Sequence, residues 1–292
     1  MAGPMRRFVD LHTHSTASDG TVRPAELISR ADGASLAGVA LTDHDTTEGV
    51  AEARAAAVGC PELRFVAGIE LSVRFGGGTM HLLGLGIDEA AASLRKLADR
   101  VRAAREQRNG KILAKLQQMG VAIEMSDVLA AAGRADAAGG IVSRVHIAQT
   151  LCRLGCAATL EEAFARYIGS EAGAYVAKWR PEPADAIGCI RDADGAAVLA
   201  HPSQLGCGDG DRLARIVRSL IDAGLEGIEV YHPEHSDEQT RGYLELARRF
   251  DLLAAGGSDY HGSIKPHVRL GHPRVPVSVL SARWADRLFG RR

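Results

Sequence analysis

Long apolar runs are missing from this 292-residue sequence. No stretch approaches the ~20 residues needed to cross a bilayer. The segment from Met1 to Arg7 lacks the apolar core of a secretory leader. The expectation is a cytoplasmic chain with no membrane partner. Aromatics are scarce, at 4%, which argues against a long groove of stacking rings for single-stranded nucleic acid. An excess of either charge is also absent. The 35 Lys and Arg and 36 Asp and Glu leave a net charge of −1, so no stable complex with a long nucleic acid is expected. The five cysteines, Cys60, Cys152, Cys156, Cys189 and Cys207, are odd in number and scattered, which implies neither a disulfide framework nor a paired zinc site. Cys152 and Cys156, one helical turn apart, read as packing residues.

What is present is a chain with 46% hydrophobic residues, enough for one large core or one core plus an insertion. Short apolar runs end in polar residues and are followed by helical patterns, as alternating β and α units read. Strands are predicted at Phe8–Leu11, Gly38–Leu41, Phe65–Leu71, Met80–Leu85, Ala197–Ala200, Gly227–Val230 and Leu252–Ala255. Helices are predicted from Pro24, over Asp211–Ala223 and over Ser236–Phe250. Between about Leu94 and Lys178 the alternation stops: Leu94–Met119, Ser143–Leu154 and Leu160–Tyr167 read as helices, with a break at Gly139-Gly140. The domain reading is therefore a barrel from residues 1–94 and 179–292, with residues 95–178 a helical insertion that recognises substrate. Near the end, Leu280, Trp284 and Leu288 recur every four residues, which predicts a short helix packed by one apolar face.

Histidines and acids fall where the strands end. Val9-Asp10-Leu11 leads into His12-Thr13-His14, and Asp19 follows. Ala40-Leu41-Thr42 leads into Asp43-His44-Asp45, and Val66-Ala67-Gly68-Ile69 into Glu70. Val198-Leu199-Ala200 ends at His201, and Gly256-Gly257-Ser258 at Asp259-Tyr260-His261, while His81 opens its strand. In a β/α barrel the C-terminal ends of the strands meet on one face, so these groups are expected to converge. In an extended segment, residues i and i+2 point the same way, so His12 and His14 can share one cation. The set His12, His14, Asp19, His44, Glu70, His81, His201, Asp259 and His261 oversupplies one ion, and two or three divalent ions are expected. Imidazole and carboxylate without thiolate suit Mn, Zn or Fe. Asp43 and Asp45 either orient His44 or cap the helix near Glu48.

The runs Val9 to Ser15, Leu41 to Asp45, Gly68 to Glu70, Ala200 to Pro202 and Gly257 to His261 resemble the PHP (polymerase and histidinol phosphatase) family across most of the chain. That resemblance implies a distorted (β/α)7 TIM-like barrel with a helical insertion, and metal-dependent phosphoesterase chemistry. It implies that His12, His14, Glu70 and Asp259 hold one ion, that Glu70, His81 and His201 hold a second, and that Asp19, His44 and His261 hold a third. Asp19 stands where many members have another histidine. Manganese is the expected metal. Catalysis is assigned to His12, His14, Asp19, Glu70, His201 and Asp259, around a water that the ions activate and that attacks phosphorus.

Substrate choice is expected from the insertion. Arg102, Arg105 and Arg108 share one side of the first helix, where a solvated face is the rival reading. Arg134, Arg144 and Lys178 lie near its breaks. Arginine suits a terminal phosphate because its planar fork donates two parallel hydrogen bonds. Ser143 to Ala148 and Gly227 to His235 further resemble a bacterial branch of the family that acts on nucleotides. This implies removal of the 3′-phosphate from nucleoside 3′,5′-bisphosphates, with His232 and His235 at the site's mouth. The alternatives are 5′→3′ trimming of short RNA, histidinol-phosphate hydrolysis, and a non-catalytic metal-binding module.

Overall fold

The computed structural model describes residues 7–133, 141–208 and 210–290, so Arg134 lies outside the described residues. The chain divides into two compact units, Met1–Leu97 with Pro181–Arg292, and Ala98–Arg180.

The first unit is a nearly closed barrel. In chain order it contains β1 (Phe8–Asp10), α1 (Pro24–Gly33), β2 (Gly38–Leu41), α2 (Val50–Ala57), β3 (Arg64–Val73) and β4 (Met80–Leu85). After α3 (Ala92–Gln118), α4 (Met125–Ala131), α5 (Arg144–Arg153) and α6 (Leu160–Ala163), it resumes with α7 (Pro183–Asp192) and β5 (Ala196–Leu199). It continues through α8 (Gly210–Asp222), β6 (Gly227–Tyr231), α9 (Asp237–Arg249), β7 (Leu253–Gly256), β8 (Val275–Pro276) and α10 (Ala282–Phe289). The sheet order is β7-β6-β5-β4-β3-β2-β1-β8. Beyond β1 the ends meet: Leu11 N donates to Gly256 O at 3.0 Å, and Thr13 forms a parallel bridge with Tyr260.

The strands read as near-continuous apolar runs because both faces are covered. Val9 and Leu11, Leu83 and Leu85, Ala196, Val198 and Ala200, and Leu253 and Ala255 share one cluster, each set spaced by two residues as strand geometry requires. In β2 the alternation is visible: Ala40 joins that cluster, while Val39 and Leu41 pack with Leu27, Ile28 and Ala31 of α1. Leu280, Trp284 and Leu288 complete the first cluster. Helix α10 approaches Gly38, where β2 begins, and Gly86, just after β4. It therefore covers the end of the barrel away from the histidines.

Two departures from seven regular β/α units matter. No helix separates β3 from β4, which form an antiparallel ladder, and β4 is antiparallel to β5 as well. The two-residue β8 pairs antiparallel with β1 and carries too few residues to show a period.

In the second unit, Ile112, Leu113 and Leu116 of α3 pack with Val128 of α4 and Ile147, Ala148 and Leu151 of α5, the three- and four-residue spacing of helix faces. Ser143 caps α5 by accepting from Val145 N at 3.1 Å. Beyond α6 the helix widens into a π turn over Phe164–Ile168. Cys152 and Cys156 pack against this core. Among the described residues, no helix is long and apolar enough to cross a membrane.

Trp284 is 5% exposed in the barrel cluster. Trp284→Ala is expected to lower unfolding free energy by about 3 kcal/mol in urea denaturation. An unchanged midpoint would contradict the packing role of α10.

Candidate metal centre

Glu70 lies in the middle of β3 at 1% exposure. Its Oε2 is 3.3 Å from His12 Nε2, 3.2 Å from His14 Nε2 and 2.8 Å from His44 Nδ1. Its Oε1 is 2.7 Å from His81 Nδ1 and 3.0 Å from His201 Nε2. Asp259 Oδ1 faces His12 Nε2 at 3.5 Å, His14 Nε2 at 3.2 Å and His261 Nδ1 at 3.4 Å. Asp19 Oδ1 is 3.4 Å from His261 Nε2. All nine residues read from the sequence as ligands thus converge.

They arrive from six strands or the loops that follow them. His12 and His14 follow β1, and His44 follows β2, with bridges Thr13–Tyr260 and His44–Glu70 fixing their depth. His81 opens β4, and the antiparallel register sets it opposite Ser72, just beyond Glu70. A parallel strand would have carried it to the far end of the barrel. His201 and Asp259, at the ends of β5 and β7, have positive φ values of 25° and 53°. That is strained backbone for a histidine, and such strain clusters at functional sites. A Cβ on Gly257 would meet His12 N at 2.4 Å, so the close pass of the β7 end against His12 requires glycine.

Buried acids hold the loops. Asp10 accepts from Ser258 N at 2.8 Å, Ser258 Oγ at 2.6 Å and Gly271 N at 2.7 Å. Burial still pushes its carboxyl above the usual range, against these hydrogen bonds. Asp43 accepts from Ser15 N, Ser15 Oγ and Ser18 Oγ at 2.7, 2.6 and 2.6 Å, and Asp45 accepts from Ser72 N at 2.9 Å. These two acids fasten the loop after β1 and the end of β3, a role that neither sequence reading of them anticipated.

Sequence reasoning gave Glu229 no role. It lies in the middle of β6; its Oε1 accepts from His12 Nδ1 at 3.0 Å and its Oε2 from His201 N at 2.7 Å. A buried carboxylate inside an otherwise apolar strand was the signal. This bond puts the proton of a neutral His12 on Nδ1 and leaves Nε2 as a lone pair aimed inward. His261 is set likewise, with Nδ1 donating to Asp259 O at 2.8 Å. His232 is set the opposite way. Its Nδ1 accepts from Glu234 N at 3.2 Å, so Nε2 carries the proton, 3.5 Å from Asp259 Oδ2. It faces the site as a donor.

The charges are strongly coupled. Against the penalty of burial, nearby imidazoles hold Glu70, Asp19 and Asp259 well below the usual carboxylate range, and His12 and its neighbours bring Glu229 down to about 2. Also against burial, Asp259 and Glu70 raise His14 to about 9, and Glu229, Glu70 and Asp259 raise His12 well above its ordinary value. Burial takes His81 down to about 4, helped by His201 and His44.

A cation fits this donor set. His12 Nε2, both ring nitrogens of His14, Asp19 Oδ1, His44 Nδ1 and Glu70 Oε2 are buried without a hydrogen bond, although opposite charges stand within reach. Buried polar atoms in that condition require an explanation. Three groups bring ligand atoms within 4.8 Å of one another: His14, Asp19, His44 and His261; His12, His14 and Glu70; and His44, Glu70 and His81.

The residues read as substrate-binding fall in two places. His235 lies in the barrel unit, its Nδ1 donating to Val230 O at 3.0 Å and its ring 5.1 Å from that of His232. Arg102, Arg105, Arg144 and Lys178 belong to the second unit. There Arg105 and Arg108 are only 7% and 5% exposed, which rules out a solvated charged face. Arg144 donates to Ile168 O at 3.3 Å. Burial lowers its pKa, and the charges of Arg180 and Arg105 lower it further while Tyr175 opposes.

An imidazole that ligates a cation must give up its proton. With His14 at about 9, uptake of Mn2+ or Zn2+ by chelator-treated protein is expected to release at least about one proton per chain near pH 7, and fewer near pH 9.5. Weakly buffered pH-stat titration measures this; release independent of pH would contradict the coupling.

A PHP domain model matches residues 10–107. The chain is 36% identical to a 3′,5′-nucleoside bisphosphate phosphatase of Chromobacterium violaceum over 286 residues, 95% of each chain. It is 34% identical to a 5′-3′ exoribonuclease of Haemophilus influenzae, covering 88% of this chain and 91% of that one. A solved structure described as a metal-dependent phosphoesterase, from Bifidobacterium adolescentis, superposes with a TM-score of 0.85 at 31% identity, covering 99% of this chain and 100% of that one. With likeness over nearly its whole length and a buried histidine and carboxylate cluster at the ends of its strands, the chain belongs to the PHP family of metal-dependent phosphoesterases.

Proposed function

We propose that this phosphoesterase is a cytoplasmic enzyme that removes the 3′-phosphate of nucleoside 3′,5′-bisphosphates. The observation that carries the reading is the ring of imidazoles around Glu70, with donors buried and unsatisfied, in a chain 36% identical to an enzyme of that name. His12, His14, Glu70 and Asp259 hold one ion, Glu70, His81 and His201 a second, and Asp19, His44 and His261 a third, with manganese the preferred metal. When bound, such ions activate water and neutralise phosphate oxygens. The chain's own groups do the rest. Glu229 fixes the His12 tautomer and the His201 backbone at once. His232 holds a proton at Nε2 on the Asp259 side. Barrel residues beneath the cluster exclude water, which strengthens every charge interaction within it.

We assign Arg102, Arg105, Arg134, Arg144 and Lys178 to the phosphate that is not cleaved, and His235 to the mouth of the site. Support comes from the partly buried Arg144, on which the charges of Arg180 and Arg105 bear and which a phosphate would relieve. A second reading, trimming of short 5′-phosphorylated RNA, is favoured by the 34% identity to an exoribonuclease. Both use the same metals and differ in what extends from the cleaved bond.

Metal-loaded protein is expected to convert adenosine 3′,5′-bisphosphate to AMP faster than it releases mononucleotides from short RNA. Arg144→Ala is expected to raise KM for the bisphosphate by about tenfold or more, with little change for a nucleoside 3′-phosphate. Equal loss on both substrates, or preference for RNA, would overturn the assignment; free phosphate and nucleotide products provide the readout.

A further inference from the structure

Asp259 divides its two oxygens between different neighbours. Oδ1 faces His12, His14 and His261 at 3.5, 3.2 and 3.4 Å. Oδ2 faces Lys265 Nζ at 2.5 Å and His232 Nε2 at 3.5 Å. The lysine side chain is 30% exposed where that of Asp259 is 8% exposed, so the ammonium stands between the buried cluster and solvent. An ammonium carries three N–H groups. Among the described residues, Asp259 Oδ2 is the acceptor found for it, and the side chain keeps 30% exposure.

The loop that carries Lys265 is built to hold it there. After His261 the chain makes a 3-10 turn over Gly262–Ile264. Ser263 N donates to Thr21 Oγ1 at 2.9 Å, and Thr21 N donates to His261 O at 3.2 Å, pinning the turn to the loop after β1. Val268 N donates to Lys265 O at 2.9 Å and closes the far side.

We propose that Lys265 is a phosphate-contacting residue of this centre, a resident cation at its rim that weakens the grip on metal ions while strengthening the grip on a phosphate oxyanion. This rests on the phosphoesterase reading of the cluster. A positive charge in contact with a ligand carboxylate repels a divalent ion and attracts a phosphate dianion, so its removal shifts the two affinities in opposite directions. A lysine that only braced Asp259 would, when removed, lower both.

The test uses the metal-loaded full chain as wild type, Lys265→Met and Lys265→Arg. Metal affinity is read by chelator competition, and binding of inorganic phosphate by calorimetry. Lys265→Met, which keeps bulk and loses charge, is expected to hold metal about tenfold tighter and phosphate about tenfold weaker; Lys265→Arg is expected to keep both within about threefold. Lys265→Gln repeats the neutralisation should the Met variant fold poorly. Any result other than a rise in metal affinity together with a fall in phosphate affinity overturns the proposal. Neither titration contains a nucleotide, so failure to hydrolyse a bisphosphate would sink the substrate assignment and leave this test intact.

Discussion

Glu70 sits with both oxygens inside a ring of five imidazoles, and a carboxylate at 1% exposure cannot remain ionised there without them. Much of the barrel unit is arranged to satisfy that constraint. Four strands and their loops deliver the imidazoles: β1 gives His12 and His14, β2 gives His44, β4 gives His81 and β5 gives His201. The reversal of β4 follows from the same need, because only an antiparallel neighbour sets the start of its strand beside the end of β3. At the opposite end, Leu280, Trp284 and Leu288 close the apolar interior on which the charged layer rests.

Around that layer, acids without any solvent exposure to speak of act as fasteners. Asp10 ties the β7 end and Gly271 to β1, Asp43 ties the loop after β1 to the β2 end, and Glu229 ties β6 to both His12 and His201. Each fastener accepts more than one hydrogen bond, which is what makes a buried carboxylate tolerable. Their effect is directional. In their neutral forms His12 and His261 present Nε2 lone pairs, whereas His232 presents an N–H, so ligand and donor positions are sorted by the partner on the other ring nitrogen. In the second unit the same physics has the opposite sign: Arg105 and Arg144 are held close enough for their charges to oppose one another.

Most of the barrel strands were legible because strands buried on both faces read as short apolar runs; Gly38–Leu41 and Met80–Leu85 coincide with β2 and β4. The convergence of His12, His14, Asp19, His44, Glu70, His81, His201, Asp259 and His261 was legible from their common position at strand ends. Strand direction was not, since an apolar run carries no arrow, and the reversal of β4 emerged only in the structure. The two residues of β8 show no period, and the π turn over Phe164–Ile168 differs from α-helix only in hydrogen bonding. Glu229 carried a visible signal, an acid within an apolar strand. Lys265 carried none, because its place beside Asp259 depends on how one loop is pinned to another through Thr21. Buried and solvated arginines have the same sequence spacing, so the burial of Arg105 and Arg108 waited on the packing of α3.

In the proposed arrangement one carboxylate, Glu70, serves two ion sites at once. Metal content of the purified full chain, compared between wild type and Glu70→Gln by elemental analysis, tests this most directly. Two to three divalent ions per wild-type chain are expected, and loss of more than one from Glu70→Gln, because its two oxygens serve separate groups of imidazoles. A variant that folds and keeps the wild-type metal content would contradict a bridging Glu70.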